Sequence, residues 1–568
     1  MNDLISIVSS VFNNDTPKNL PSVQFGRDWP VVYILDNQKD EAYVGETLDA
    51  SVRASQHLQN DDRRRLTQIS LISDIDFNKS VILDLEAFLI KHMSVDGTFR
   101  LQNGNMGLHF HNYFNRAYYE SEFRQIWDRL IERKLAKRNL QDIENSDLFK
   151  YSPYNSLSSD QYVTVSEIIR NLADAIEEGR QLTCVVRGGP GTGKTVLAVH
   201  LMKLLEERKY GLQRPDPEED ESIVAISENL RRLPRTMDIG FVVPMQSLRV
   251  TLQRVFENTP GLRADMVISP EDLTKSPKQY KLLVVDESHR LKRYKAIRDH
   301  KGFKDANIRM GLDPTSGDEL DWIRLRSEHQ ILFYDPYQSI KPADIPAEKF
   351  NELLGGSNTI QYELHTQFRC KGGDAYIQYV RSVLSDNPPE SKTDFGGYDI
   401  QLFDDCGAMT DMIKAQDDKY DLCRTVAGFA WEWITKKSDL RDQYDIEIGD
   451  YKYRWNTQST DWVNSDKSRD EIGCIHTIQG YDLNYCGVIF GWEIDYDPVR
   501  KCFTVDKKKY KDNHGRETGK DDKLLLNYVL NIYKTMMTRG IVGTYVYACN
   551  PNLRDYLRQY FPVAQRDL

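Results

Sequence analysis

The chain has 568 residues, 40% hydrophobic and 28% charged, a length that excludes one core and implies two to four domains of an ordinary globular protein. Its net charge of −11 excludes nucleic-acid binding by bulk charge and leaves such binding to local basic surface. Eight scattered cysteines, with no C-x-x-C pair or zinc spacing, argue against a disulfide or zinc framework; no run reaches the ~18 apolar residues of a membrane span, and a cytoplasmic protein is expected.

In chain order, residues 1–28 are polar and turn-rich and read as a loose lead-in. Val31-Val32-Tyr33-Ile34-Leu35 predicts a strand, 36–41 a polar turn, and Ala42-Tyr43-Val44-Gly45-Glu46-Thr47 a second strand. The resulting hairpin brings Tyr33 and Tyr43 near each other, on faces set by its register. A polar helix with Arg53, Gln56 and His57 follows. Residues 80–90 predict a helix capped by Ser80 and apolar on nearly every face, with Glu86 between Ile82 and Ile90 on one row. A carboxylate there is costly unless it binds a metal or an ion-pair partner, for which Arg53 is the candidate. Residues 117–139 predict a charged connecting helix, closed by turn chemistry at 151–156. Beyond Ser158, helical stretches alternate with β-branched runs at 182–187, 239–243, 282–285, 331–334 and 486–490, the pattern of parallel sheets flanked by helices. Segments 214–235 and 506–523 are highly charged and read as surface insertions, with disorder the plain alternative.

Gly188-Gly189-Pro190-Gly191-Thr192-Gly193-Lys194-Thr195 follows an apolar strand and opens a helix, the context a phosphate-binding loop needs. Its backbone N–H groups would surround the β- and γ-phosphates of ATP, Lys194 would add a charge, and Thr195 would offer a hydroxyl to Mg²⁺. Leu282-Leu283-Val284-Val285-Asp286-Glu287-Ser288-His289 is a buried strand ending in two carboxylates. Asp286 would hold Mg²⁺, and Glu287 would orient or deprotonate the attacking water. The basic positions Arg290, Lys292, Arg293, Lys295 and Arg298 are either a solvated helix face or contacts to a nucleic-acid backbone.

The order of these motifs resembles superfamily 1 helicases, and more closely the Schlafen-type helicase domain family, over residues 151–550. Gln161 sits where such helicases place an adenine-reading glutamine. Phe241-Val242-Val243-Pro244-Met245-Gln246-Ser247-Leu248-Arg249 is similar to the first nucleic-acid-facing motif. Tyr334-Asp335-Pro336-Tyr337-Gln338 is similar to the motif whose glutamine, here Gln338, senses the γ-phosphate. Gln367-Phe368-Arg369 resembles the motif that supplies the first arginine of the second lobe. His476-Thr477-Ile478-Gln479-Gly480-Tyr481-Asp482 resembles the late Gln-Gly motif, with Asp482 where relatives more often carry Glu. Thr538-Arg539-Gly540 resembles the last motif, which implies Arg539 as an arginine finger.

The N-terminal hairpin resembles the GIY-YIG nuclease family over about residues 29–114. Val31-Val32-Tyr33 stands for the first signature, with Val31 in place of its glycine, and Tyr43-Val44-Gly45 for the second. Arg53, Glu86 and Asn103 follow in the family's order. The resemblance implies that Tyr33 takes a proton from water, Tyr43 positions water or phosphate, Arg53 clamps the phosphate and Glu86 binds Mg²⁺. His57 is either an assistant or a surface histidine, and Asn103 either a support near the metal or a turn residue.

The expected fold is α/β: a lead-in (1–28), a small GIY-YIG-like nuclease domain (29–116), a helical connector (117–157) and two RecA-like P-loop lobes of a superfamily 1 helicase (158–355 and 356–568). The expected activity is ATP-dependent processing of nucleic acid, DNA favoured and RNA open. Defence against phage or foreign DNA is implied only by analogy with bacterial proteins of this build. An ATP-gated nuclease that does not unwind, an RNA-directed enzyme and a non-catalytic binding module remain the alternatives.

Overall fold

Strands β2 (Val31–Asp36) and β3 (Glu41–Thr47) pair antiparallel with Tyr33 opposite Gly45 and Leu35 opposite Tyr43. Because side chains alternate across a sheet, this register sends Tyr33 and Tyr43 to one face and Val32, Ile34, Ala42 and Val44 to the other. The computed structural model describes residues 5–565 except 104–112, 156, 211–220, 296, 298, 337, 339–342, 367–369, 437–441, 459–461, 479–480 and 513–521. With β1 (Ser6–Val11), β4 (Gln68–Ser73) and β5 (Arg100–Leu101), the hairpin builds a five-stranded sheet in the order β1-β4-β2-β3-β5. The tyrosine face is covered by the Ala50–Leu58 helix through Ala50 and Ala54. The other face is covered by the Lys79–Asp96 helix through Val81, Ile82 and Leu85.

Three expectations change here. The lead-in is partly ordered sheet: β1 pairs antiparallel with β4, driven by burial of Ile5 and Ile7. Ser80 does not cap the second helix; Asn78 does, its side chain accepting from the Ser80 and Val81 N–H groups. That helix is apolar nearly all round because it is sandwiched. The Arg116–Glu132 helix packs Phe123, Ile126, Trp127 and Leu130 into the same core. This connecting helix ends at Glu132 rather than near 139, and the chain turns at Lys134, whose φ is +62°. Asp96 pins the turn by accepting from the Lys137 and Arg138 N–H groups at 3.0 and 2.8 Å. Short helices Leu140–Glu144 and Asp147–Lys150 follow.

A second sheet is wholly parallel: β6 (Leu182–Gly188), β7 (Ile239–Val242), β8 (Val267–Ile268), β9 (Tyr280–Val285), β10 (Ser327–Tyr334) and β11 (Thr359–Leu364), in the order β11-β6-β10-β9-β7-β8. β11 lies past the expected 355/356 boundary yet completes this sheet beside β6, its Tyr362 hydroxyl accepting from Asn171 at 2.7 Å. A third, four-stranded parallel sheet contains β12 (Asp399–Leu402) and β13 (Arg424–Ala427); hairpin strands β14 (Ile446–Ile448) and β15 (Tyr451–Tyr453) precede its β16 (Leu483–Phe490), and β17 (Ile494–Asp497) and β18 (Cys502–Val505) precede its β19 (Gly540–Ala548). Part of the charged 214–235 insertion is structured: Glu221–Arg232 is a helix, and Arg232 pairs with Asp174 and Glu177 of the Ser159–Glu177 helix. The five-stranded and six-stranded sheets share one continuous core; the third sheet has its own. The connector touches the third sheet's unit through Gln141 to Asp421 at 2.8 Å and Lys150 to the Asp482 carbonyl at 3.2 Å. Among the described residues no helix is long and apolar enough to cross a membrane.

Candidate functional site

The loop from Gly188 to Gly193 joins β6 to the Lys194–Glu207 helix. Gly191 and Gly193 take φ of +81° and +73°, left-handed values that cost an L side chain and turn N–H groups into the loop. Lys194 folds across it, donating to the Gly188 and Gly189 carbonyls at 2.8 Å each, with Asp335 at 3.4 Å. Below the loop, the Thr195 hydroxyl donates to Asp286 at 2.8 Å.

Asp286 ends β9 and is fully buried. Burial first, then the charge of Glu287, push its carboxyl up to about 7. Its Oδ1 has no hydrogen-bond partner, an orphaned acceptor of the kind a hard cation satisfies. Burial opposes ionisation of Glu287, but His289, 2.9 Å away, together with the charges of Lys194 and Arg290 holds Glu287 below the usual carboxylate range. His289 is oriented by the Asp335 N–H, which donates to its Nδ1 at 3.3 Å. Glu287 itself sits at φ +50°, a left-handed conformation that turns the chain sharply as it leaves the strand.

From Lys194 a chain of contacts crosses to the third sheet. Asp335 accepts from the Gln338 amide at 2.7 Å, and Gln338 Oε1 lies 3.4 Å from Arg539 Nη2. Arg539, buried just before β19, also reaches the Tyr481 carbonyl at 3.5 Å. Gln161 has its whole amide engaged: Nε2 donates to the Thr192 carbonyl at 2.8 Å, and Oε1 accepts from the Ser158 N–H at 3.1 Å in a capping box. It therefore braces the phosphate loop. Its neighbour Asp160 accepts from the His365 and Thr366 N–H groups at 2.9 and 3.1 Å, tying the end of β11 to the Ser159–Glu177 helix.

Structure thus brings together Gln161, Gly188, Gly189, Pro190, Gly191, Thr192, Gly193, Lys194, Thr195, Asp286, Glu287, Gln338 and Arg539. Tyr337, Arg369, Gln479 and Gly480 lie outside the described residues, as does Arg298. The basic run after Glu287 is not a solvated face at Arg290, which is buried 3.4 Å from Asp344. Asp335 was quoted in the sequence only as part of a motif; its place between Lys194 and Gln338 had no separate signal.

The N-terminal cluster is built on the tyrosine face. Arg53 Nε donates to the Tyr33 hydroxyl at 3.2 Å. That hydroxyl lies 2.7 Å from His57 Nε2. His57 is buried, and burial first, then Arg53 and Arg63, lower its pKa to about 3. It is therefore neutral, and its Nε2 shares one hydrogen bond with the Tyr33 hydroxyl. Burial, and then the Tyr43 neighbour, raise Tyr33 well above the ordinary phenol. The Tyr33 and Tyr43 rings are 6.2 Å apart. Gly45 is needed opposite them, since a Cβ there would lie 2.2 Å from the Tyr33 oxygen. Burial, and then the Glu46 charge, raise Glu86 to about 8; Lys79 and Arg53 oppose this through their fields. The alternative Glu86–Arg53 ion pair does not form, and Lys79 pairs instead with Glu46, 2.8 Å apart.

Two alternatives left open by the sequence are resolved. His57 is not a surface histidine, and Asn103 is no simple turn residue. Asn103 is buried and clamps β3, donating to the Val44 carbonyl at 2.7 Å and accepting from its N–H at 3.0 Å. Sequence reasoning missed Arg63, whose guanidinium lies 3.8 Å from the Tyr43 ring centroid and donates to Gln102 at 2.8 Å. The run Arg63-Arg64-Arg65 was its only signal. Among the described residues no group of three or more metal-ligating side chains is assembled.

Fold and site first define a class: a P-loop nucleotide-binding α/β protein whose two parallel sheets meet at one cleft. Residues 181–550 match the Schlafen group 3, DNA/RNA helicase domain, and the chain belongs to that family. An uncharacterized protein of Saccharomyces cerevisiae is 35% identical over 258 residues, 40% of this chain and 56% of that relative. The chain thus spans little more than half that relative's length. Among solved structures, Pif1 helicase from Candida albicans is 11% identical, over 72% of this chain and 98% of that one, with a TM-score of 0.27. PCH-2 of C. elegans is 10% identical, over 68% and 77%, with a TM-score of 0.16. Both superpositions are loose.

Proposed function

We propose that the chain is a nucleic-acid-stimulated ATPase of helicase type, coupled to an N-terminal metal-dependent endonuclease that acts on DNA. The observation that carries the motor reading is the continuous path Lys194–Asp335–Gln338–Arg539, which joins the phosphate loop to the opposite sheet. A terminal phosphate entering the loop would compete for Lys194 and draw on Gln338 and Arg539 together, so hydrolysis and closure of the cleft become one event. Thr195 and Asp286 would hold Mg²⁺; the orphaned Asp286 oxygen fits that role, and the bound ion would neutralise phosphate charge. Glu287, kept ionised beside His289, orients the attacking water.

The nuclease reading rests on the Tyr33–His57–Arg53 triad beside Glu86. The Tyr33 hydroxyl, hydrogen-bonded to both His57 and Arg53, would orient the attacking water. Arg53 lies where it stabilises a phenolate and clamps a phosphate. Glu86 would hold Mg²⁺, which supplies charge neutralisation at the leaving oxygen.

The test measures ATP turnover and plasmid cleavage in the parent, Lys194→Ala and Glu86→Ala proteins, with Mg²⁺ and with single-stranded DNA or RNA. Expected are DNA-stimulated turnover lost in Lys194→Ala and cleavage lost in Glu86→Ala. Equal cleavage by parent and Glu86→Ala removes the nuclease and leaves a binding module. Stronger stimulation by RNA than by DNA moves the substrate class to RNA. Cleavage controlled by ATP without any strand displacement makes the motor a switch.

A further inference from the structure

The Gly373–Val383 helix belongs to the third sheet's unit, whose core takes its Tyr376, Tyr379, Val380 and Val383. Asp374, Ile377, Gln378 and Arg381 follow the i, i+3, i+4, i+7 spacing of one helix face. That face lines a cleft whose other wall is Gly188, Gly189, Pro190 and Thr192 of the phosphate loop. The approach is close: a Cβ built on Gly189 would lie 3.4 Å from Arg381 Nη2. A guanidinium rooted in one unit therefore stands beside the phosphate loop of the other. Arg539 is placed differently, turned toward Gln338 and the Tyr481 carbonyl.

The electrostatics agree with the geometry. Burial, and then the charge of Arg381, lower the Lys534 ammonium on the Asp522–Met537 helix, with Asp386 opposing. Arg381 and Lys534 thus repel each other, and Arg381 lines a cleft whose loop already directs N–H groups inward. Arg187 lines the same cleft, with Glu363 and Asp374 as the acids facing them. A polyanion in the cleft relieves that repulsion.

We propose that Arg381 is a further phosphate-contacting residue of the ATPase site, reaching the terminal phosphate of a nucleoside triphosphate from the third sheet's unit. This rests on the ATPase reading above. A diphosphate, which lacks that phosphate, gains little from Arg381, so the residue separates ATP from ADP. It acts directly on the nucleotide, whereas Arg539 acts beside Gln338.

The test compares parent, Arg381→Ala, Arg381→Lys, Arg381→Gln and Lys194→Ala full-length proteins for DNA-stimulated ATP turnover, and for affinity toward ADP and a non-hydrolysable ATP analogue. Expected is a fall in kcat of about 100-fold or more in Arg381→Ala, with ADP affinity within about threefold of the parent and the analogue weakened. Arg381→Lys recovers only part, because an ammonium lacks the guanidinium fork. Arg381→Gln, required to melt like the parent, guards against misfolding. Turnover within about threefold of the parent in both Arg381→Ala and Arg381→Gln overturns the inference, as does an equal loss of ADP and analogue binding. A parent without ATPase activity, or a Lys194→Ala protein that matches it, removes the ATPase reading itself and the inference with it.

Discussion

On the reading proposed above, the tyrosine cluster and the phosphate-loop site solve the same problem, holding charged groups ready for a phosphate, by opposite routes. The first is local. Tyr33, Tyr43, Arg53, His57, Glu86 and Asn103 come from one hairpin and the segments packed on it, with Tyr33 bonded to His57 and Arg53 and Asn103 bonded to the Val44 backbone. The second is distributed. Its groups run from Gln161 to Arg539 and belong to two sheets with separate cores. A local site is set when its hairpin folds; a distributed site is set by how two bodies stand to each other, and so it can report that relation.

The sharpest way to test the contrast is to damage one site and read the other. Lys194→Ala should lower ATP turnover by about 100-fold or more, since the side chain is the loop's point charge. Metal-dependent cleavage without ATP should be unaffected in that protein; a parallel loss in a nucleotide-free assay would merge the two sites. Gly45→Ala should destabilise the N-terminal sheet by about 1–3 kcal/mol through overpacking against the Tyr33 oxygen. Hydrogen exchange should show the loss at 31–47, with basal ATP turnover within about twofold of the parent. Asn103→Ala leaves the Val44 N–H and carbonyl without their partner and should cost about 1–3 kcal/mol at the same strands. Increased exchange beyond the five-stranded sheet would show that this unit is less self-contained than the contacts indicate.

A further effect depends on pH. Glu86 has a folded pKa of about 8, above the unfolded value of about 4.3. The folded state therefore holds the proton more tightly, and this contribution to stability is present below the unfolded value and lost as pH rises through about 8. Glu86→Gln should flatten the fall in exchange protection of the Lys79–Asp96 helix between acid and mildly alkaline pH, after correction for intrinsic rates. An unchanged slope would place the titration elsewhere.

The distributed site was the more legible one in the sequence, and the reason is physical. A phosphate loop needs its glycines, lysine and threonine in one contiguous string between strand and helix, so the chemistry is written locally even though the completed cleft is not. The tyrosine pair was legible for the same reason, because a tight hairpin fixes its own register. What escaped depends on distant partners. β1 carries three serines among its six residues, and its partner β4 lies far along the chain. β11 crosses back to the first parallel sheet after the point where a composition-based boundary fell. Arg381 stands on an ordinary amphipathic helix whose apolar residues announce packing, and nothing in their spacing tells which loop the remaining face will meet. Asn78 rather than Ser80 caps its helix because the chain enters two residues earlier than the apolar run suggests.

Asp160 gives this arrangement its stiffness. Burial would raise its pKa, but the bonds from Ser158, His365 and Thr366 hold the carboxylate well below its usual range, so the tie persists throughout the neutral region. With the exit of β11 fastened in this way, a turn of the far sheet cannot be absorbed by peeling that strand from its neighbour. The helix that carries Arg381 begins at Gly373, seven residues past the fastened Thr366, as a hand begins just beyond a held wrist.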